Sequence, residues 1–270
     1  MDPILVTIGN FGIRWYSALI ALGLLIAYIG IMREAKRFGV DKNFLVNVVF
    51  WAVLVGIIGA RLYYVLFNLE YYSKNLNEIY QIWKGGLAIH GGLIFGVLAI
   101  LIYCRKYKFK SFKILDMAAP FMLIAQGIGR WGNFFNSEAY GSITTYERLK
   151  ELYVPEFIIK GMYINGHYNL PMFYFESIWC IVGAIILLFI RRIKTIRKGQ
   201  IAALYMMWYS LGRFFIEMYR TDSLLIGNIR VAQIVSVILF VLGWIILLVQ
   251  GTKKNEEDLY NTSDKDKIRY

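Results

Sequence analysis

The sequence predicts an all-α polytopic membrane protein with seven transmembrane helices and a small extracytoplasmic cap. Three observations lead there: long uncharged apolar blocks, their regular spacing, and basic residues gathered in alternate connections. The chain is 58% hydrophobic and only 18% charged, whereas soluble domains usually carry about 25% charged residues. A hydrocarbon core about 30 Å thick needs about 20 helical residues. Seven blocks have about that length, at 13–32, 44–66, 86–104, 114–134, 172–190, 200–218 and 230–250.

In chain order, the first block is uncharged from Trp15 to Met32, and the seventh from Val231 to Gln250. The third, Leu87–Cys104, contains no acidic or basic residue apart from His90. The fourth, fifth and sixth are interrupted by charge towards one end. Met1–Arg14 lacks a basic n-region and no small-residue cleavage site follows, so the first block is expected to persist as a helix. Asn136–Leu170 is too long for a tight connection and carries Gly141, Pro155, Gly161 and Gly166 among many Tyr and Phe, which reads as a cap. The spans and the cap at 136–170 make one domain, residues 1–250. Residues 251–270 read as a disordered polar tail.

Orientation follows from the loops. Arg33, Lys36, Arg37 and Lys42 follow the first block, and Arg105, Lys106, Lys108, Lys110 and Lys113 the third. Arg191, Arg192, Lys194, Arg197 and Lys198 follow the fifth, and Lys253 and Lys254 the seventh. These connections all fall on one side, which the positive-inside rule assigns to the cytoplasm. The N-terminus is then outside and the tail inside, in a cytoplasmic membrane. The same reading accounts for the net charge of +12 without nucleic acid. Cys104 and Cys180 lie in or beside apolar blocks and read as buried thiols. Two histidines and scattered carboxylates give no metal-ligand spacing, so no metal or other cofactor is expected.

The topology also sorts the polar residues by depth. Tyr16 and His90 fall just inside the outer ends of the first and third helices, and Arg61 late in the second. Arg130 lies 17 residues beyond Lys113, about 25 Å from the cytoplasmic face at about 1.5 Å per residue. Glu176 comes early in the fifth helix, and Arg213 and Glu217 late in the sixth. Each charge costs about 2.5–3.5 kcal/mol at the centre of a spanning helix, so a set at one depth implies a shared polar cavity. Arginines suit phosphate, and an outer-leaflet cavity holding Arg130 and Arg213 would suit an anionic phospholipid. A transporter of such a lipid, or an assembly subunit pairing with partner helices, remains open on these residues alone. A transporter should also place polar groups along the inner half, where the third and seventh helices have almost none.

Gly129-Arg130-Trp131-Gly132-Asn133-Phe134-Phe135-Asn136-Ser137-Glu138-Ala139-Tyr140-Gly141 resembles the signature of the prolipoprotein diacylglyceryl transferase family. Four further blocks are similar in order: Arg14-Trp15-Tyr16, Gly59-Ala60-Arg61-Leu62, Gly86 to Gly92 around His90, and Tyr209 to Glu217 around Arg213. The resemblance implies an enzyme that passes the diacylglyceryl group of phosphatidylglycerol to the lipobox cysteine in a prolipoprotein signal peptide, forming a thioether and releasing glycerol phosphate. It implies His90, Arg130, Arg213 and Tyr16 as catalytic residues. Arg130, Asn133, Glu138, Gly141, Tyr209, Arg61 and Glu217 are implied as substrate-binding. One block departs from the family: Leu170 precedes Pro171 where His is common, and His167 is the available substitute.

Overall fold

In a computed structural model of the chain, the structure describes residues 3–8, 11–221, 223–227 and 229–262. Its long helices are α1 (Trp15–Phe38), α2 (Lys42–Leu66), α4 (Ile89–Lys106), α5 (Ser111–Phe135), α8 (Met172–Ile190), α9 (Gln200–Tyr219) and α10 (Val231–Gly251). Short helices are α3 (Leu69–Tyr72), α6 (Tyr146–Glu151) and α7 (Glu156–Gly161). Six helices, α1, α2, α4, α5, α8 and α10, are long and apolar enough to cross a membrane. The chain is a polytopic membrane protein. The block expected as the sixth span forms the 20-residue helix α9, whose Tyr, Gln, Arg and Glu content keeps it outside those six.

The fold is mostly helical, not all-helical as the sequence predicts. Three small antiparallel sheets join the helices: β1 (Ile4–Ile8) with β2 (Phe11–Arg14), β3 (Ile143–Thr144) and β4 (Tyr163–Ile164) flanking β5 (His167–Asn169), and β6 (Leu225–Ile226) with β7 (Ile229–Arg230). The first precedes α1 and the other two lie in connections, where short hairpins satisfy backbone groups that no helix takes up.

The described chain forms two compact units. One is Met32–Ile114. Here α1 ends at Gly39, whose φ of 67° closes the helix in a left-handed residue. The helix thus runs past Met32 through Lys36 and Arg37, cations that favour a helix C-terminus. Asp41 Oδ1 caps α2 by accepting from Phe44 N at 2.7 Å. Helices α2 and α4 pack through glycine: a Cβ on Gly91 would strike the Gly59 carbonyl, and one on Gly59 the Phe95 ring. Such small-residue seams let membrane helices approach closely. At the other end of α2, the buried Phe44 packs with Tyr103, Tyr107 and Phe109.

The second unit holds the described part of Met1–Ile31 together with Leu115–Thr262. A Cβ added to Gly23 of α1 would meet the Ala125 backbone of α5 at 3.1 Å, and Trp15 stacks on Phe135 with centroids 4.3 Å apart. The cap carries its own core of Phe134, Leu149, Val154, Ile158, Ile159, Met162 and Phe173. Helix α9 begins at Gly199, whose φ of 96° and missing side chain leave its first amides uncapped locally. Asp116 of α5, fully buried, supplies the cap and accepts from Gly199 N at 2.6 Å and Ala202 N at 2.8 Å.

The sequence reading expects a disordered end after Gly251. The described residues to Thr262 are packed instead; residues 263–270 lie outside the described residues. Lys198 N donates to Asp258 O at 2.7 Å, Tyr260 N to Ile196 O at 2.8 Å, and Asn261 Nδ2 to Ile193 O at 2.9 Å. Tyr260 is 0% exposed. Backbone pairing with the α8–α9 connection and one deeply buried aromatic thus outweigh the segment's polar composition. Tyr260→Ala is expected to destabilise the protein by about 3 kcal/mol, the scale for truncating a buried aromatic. Thermal unfolding in detergent checks this, and an unchanged Tm would contradict the packing role.

Candidate active site

Helix α9 presents Tyr205, Tyr209, Arg213 and Glu217 at four-residue spacing, so they form one stripe on its surface. On α5, Gln126 and Arg130 are four residues apart and face that stripe. Gln126 Nε2 donates to the Tyr205 hydroxyl at 2.9 Å, and Arg130 Nη2 to the Tyr209 hydroxyl at 3.1 Å.

Glu176, in the second turn of α8, reaches both arginines. Arg130 Nη2 lies 2.6 Å from its Oε1, and Arg213 Nη1 lies 3.3 Å from its Oε2. Arg213 Nη2 then meets Glu217 Oε2 at 2.7 Å, and Arg220 Nη1 approaches the same oxygen at 4.0 Å. The result is an alternating row, Arg130–Glu176–Arg213–Glu217–Arg220. The carboxylates are nearly enclosed, with side chains 4% and 3% exposed, whereas those of Arg130 and Arg213 are 22% and 16% exposed. Among the described residues, Arg130 Nε and Nη1 have no protein partner, so donors of its fork are left for a ligand.

The register that creates this row comes from two tryptophans. Trp179 Nε1 donates to Trp208 O and Trp208 Nε1 to Trp179 O, each at 2.9 Å. Their rings stack at 4.3 Å. Each ring sits over a glycine on the facing helix, Trp179 on Gly212 and Trp208 on Gly183. Trp179 is three residues beyond Glu176, and Gly212 immediately precedes Arg213. The reciprocal clasp therefore sets Glu176 opposite Arg213. On the other side, Trp131 Nε1 donates to Ser177 Oγ at 3.2 Å, which in turn donates to Gly127 O at 2.9 Å, tying α8 to α5. Gly212→Ala would drive a methyl group into the Trp179 indole. A loss of about 1–3 kcal/mol in stability is expected, together with reduced transfer as the ion-pair row shifts. Unaltered melting and activity would show that the clasp does not set the row.

The remaining expected site residues sort by place. Asn133 Nδ2 donates to Glu138 Oε1 at 3.0 Å, and Glu138 N to Asn133 O at 3.0 Å, closing the end of α5. Tyr16 lies against Gly132, where a Cβ would meet its ring. Gly141 is a backbone joint: its N donates to Leu170 O at 2.8 Å, and it bridges to Arg220. A Cβ there would meet Met172 and Leu170 at 2.8–2.9 Å. Leu170 contributes that carbonyl whatever its side chain, while His167 is exposed on β5. In the other unit, His90 is exposed in the first turn of α4, with its ring 6.3 Å from that of Tyr63. Arg61 is buried and bonds to backbone carbonyls. Glu176, Arg220, Tyr205 and Gln126 join the row without having been singled out as binding residues. The spacing of Tyr205, Tyr209, Arg213 and Glu217 was the available signal for Tyr205.

Comparison with known proteins identifies the family. The family model described as prolipoprotein diacylglyceryl transferase matches residues 3–249. A phosphatidylglycerol–prolipoprotein diacylglyceryl transferase of Listeria innocua is 46% identical over 255 residues, covering 94% of this chain and 92% of the relative. Proteins of the same name from Staphylococcus saprophyticus and Staphylococcus haemolyticus are 45% and 48% identical over 254 residues. Those matches cover 94% of this chain and 91% and 89% of the respective relatives. The chain therefore belongs to the prolipoprotein diacylglyceryl transferase family and is an enzyme of lipoprotein maturation.

Proposed function

We propose that the donor lipid is phosphatidylglycerol, held through its phosphate by Arg130 and Arg213, and that the acceptor is the lipobox cysteine thiol of a prolipoprotein signal peptide. Both substrates appear in the relatives' names. The observation that carries the reading is the alternating row. Arg130 and Arg213 both lean on the nearly enclosed Glu176 while staying more exposed than it, at 22% and 16% against 4%, so two guanidinium groups are presented side by side to one phosphodiester anion. Arginine suits this task because its planar fork can bond two phosphate oxygens at once.

In the reaction the cysteine sulfur attacks the glycerol carbon that bears the phosphate ester. The carbon–sulfur bond forms and the carbon–oxygen bond breaks, its electron pair leaving on a phosphate oxygen. The products are the thioether and glycerol phosphate. Arg130 and Arg213 stabilise the charge that grows on the departing phosphate, the largest electrostatic demand of the step. The thiol, ordinarily of pKa about 8.5, must lose a proton to become a nucleophile. His90 takes that proton or orients the headgroup, as general base or positioner, and Tyr16 is the second candidate for either role. Glu217, Asn133 and Glu138 hold arginines and substrate in place, and Tyr209 fixes Arg130.

The same reading makes α9 the sixth of seven spans, puts the N-terminus outside and the tail in the cytoplasm, and opens the arginine row to the outer half of the bilayer. Twenty residues in α9 reach about 30 Å, enough to cross, and its two charges are paired. The test is a transfer assay with purified protein, phosphatidylglycerol micelles and a lipobox peptide. Cysteine-dependent release of glycerol phosphate, with a peptide mass gain of one diacylglyceryl group, is expected. A folded protein that gave neither signal would overturn the reading.

A further inference from the structure

Arg61 sits in the later part of α2, 7% exposed, and four of its N–H groups are spent on main-chain oxygens. Nε donates to Ile79 O at 2.8 Å and Nη2 to Glu78 O at 2.6 Å. Nη1 donates to both Gly85 O and Gly86 O at 2.9 Å. A guanidinium has five N–H donors, so this fork is nearly saturated by one loop. The plane also lies 5.1 Å from the Tyr72 ring centroid and 5.9 Å from that of Tyr64, which shield it from solvent. Little of this side chain remains to receive a phosphate.

The bonded loop leads directly to His90. Gly85 and Gly86 have φ of 88° and 71°, conformations that favour glycine, and they turn the chain from Arg61 towards α4. Two residues on, Ala88 N donates to Ala60 O at 3.0 Å. Gly91 then presses on the Gly59 carbonyl. The consecutive residues Gly59, Ala60 and Arg61 thus hold the segment on both sides of His90. The anchor on its N-terminal side is mainly the arginine.

We propose that Arg61 is a positioning residue which, by gathering these four carbonyls, fixes the start of α4 and with it the placement of His90, and does not bind the lipid. The proposal rests on the reading that His90 takes part in transfer. A lysine could not replace the arginine, since a single ammonium cannot reach four carbonyls laid out for a planar fork.

The test compares Arg61→Gln, Arg61→Lys and Gly86→Ala in the full chain, with kcat and KM for phosphatidylglycerol measured in mixed micelles. Hydrogen exchange is followed over residues 78–92. Gly86→Ala attacks the same contact from the loop side, because its Cβ would collide with Arg61 and Tyr64 while the arginine's charge is kept. All three variants are expected to exchange faster in the loop and to lose about 10- to 100-fold in kcat, the scale for a misplaced catalytic group. KM for the lipid should stay within about twofold, since no ground-state lipid contact is removed. A tenfold rise in KM with kcat retained in the arginine variants alone would make Arg61 a lipid ligand and overturn the proposal. Faster exchange with unchanged kcat would also overturn it, leaving Arg61 a loop anchor without catalytic bearing. His90→Asn separates the two readings. Full activity in that variant removes the role of His90, while the exchange data still decide whether Arg61 holds the loop.

Discussion

Replacing Arg130 with alanine is expected to abolish diacylglyceryl transfer, with a loss of at least about 10³-fold in rate, the upper scale for removing one donor from a developing anion. Its guanidinium is the more exposed of the two that flank Glu176, and its Nε and Nη1 lack protein partners among the described residues. The fold should survive, because Glu176 keeps Arg213 at 3.3 Å and the Tyr209 hydroxyl loses only the Arg130 donor. Arg130→Lys keeps the charge but not the fork, and is expected to recover only part of the rate. Initial rates of glycerol phosphate release, alongside thermal unfolding of each variant, check this. Near-normal turnover in a folded Arg130→Ala protein would remove the arginine row from the mechanism.

The second large effect is on stability. Glu176→Ala removes the carboxylate shared by Arg130 and Arg213 and leaves two guanidinium groups facing a cavity. Breaking a buried ion pair by deleting one partner costs about 3–5 kcal/mol, so a large drop in Tm is expected, with transfer falling as the arginines separate. Anionic lipid should partly repair this damage, since a phosphate can occupy the vacated place between the cations. Saturating phosphatidylglycerol is therefore expected to raise the Tm of Glu176→Ala by more than that of the wild type, through linkage of binding to folding. Zwitterionic lipid should not. Equal shifts with both lipids would mean that the arginines do not select the anionic headgroup.

Much of the helical frame was legible because bilayer thickness fixes the length of a span. The starts and ends of α5, α8, α9 and α10 fall within about three residues of the apolar blocks. Where the reading slipped, local chemistry explains it. Helix α1 runs on to Phe38 because its last basic turn tolerates water, and α4 starts at Ile89 because Gly85 and Gly86 turn the chain first. Asn165-Gly166 between β4 and β5, both at positive φ, is a hairpin turn signal that the sequence displayed openly. Other features carried no local signal. Asp116 caps a helix that starts 84 residues later, and Arg61 bonds carbonyls, which any residue type supplies. Glu176 stood out as a charge at the right depth, but only the tryptophan clasp reveals that it bridges two arginines. The tail packed against composition because one tyrosine and a few backbone pairs suffice to dock a short segment.

The most direct test of the central claim, that Arg130 and Arg213 hold the donor phosphate, is lipid binding without turnover. Native mass spectrometry of the purified protein, titrated with phosphatidylglycerol or phosphatidylcholine in the absence of acceptor peptide, gives the two affinities side by side. Wild type is expected to prefer phosphatidylglycerol, and the double variant Arg130→Ala/Arg213→Ala to lose at least about tenfold in its affinity, or about 1.4 kcal/mol, with phosphatidylcholine unaffected. Undiminished, selective binding of phosphatidylglycerol by the folded double variant would contradict the account and move the headgroup site elsewhere in the protein.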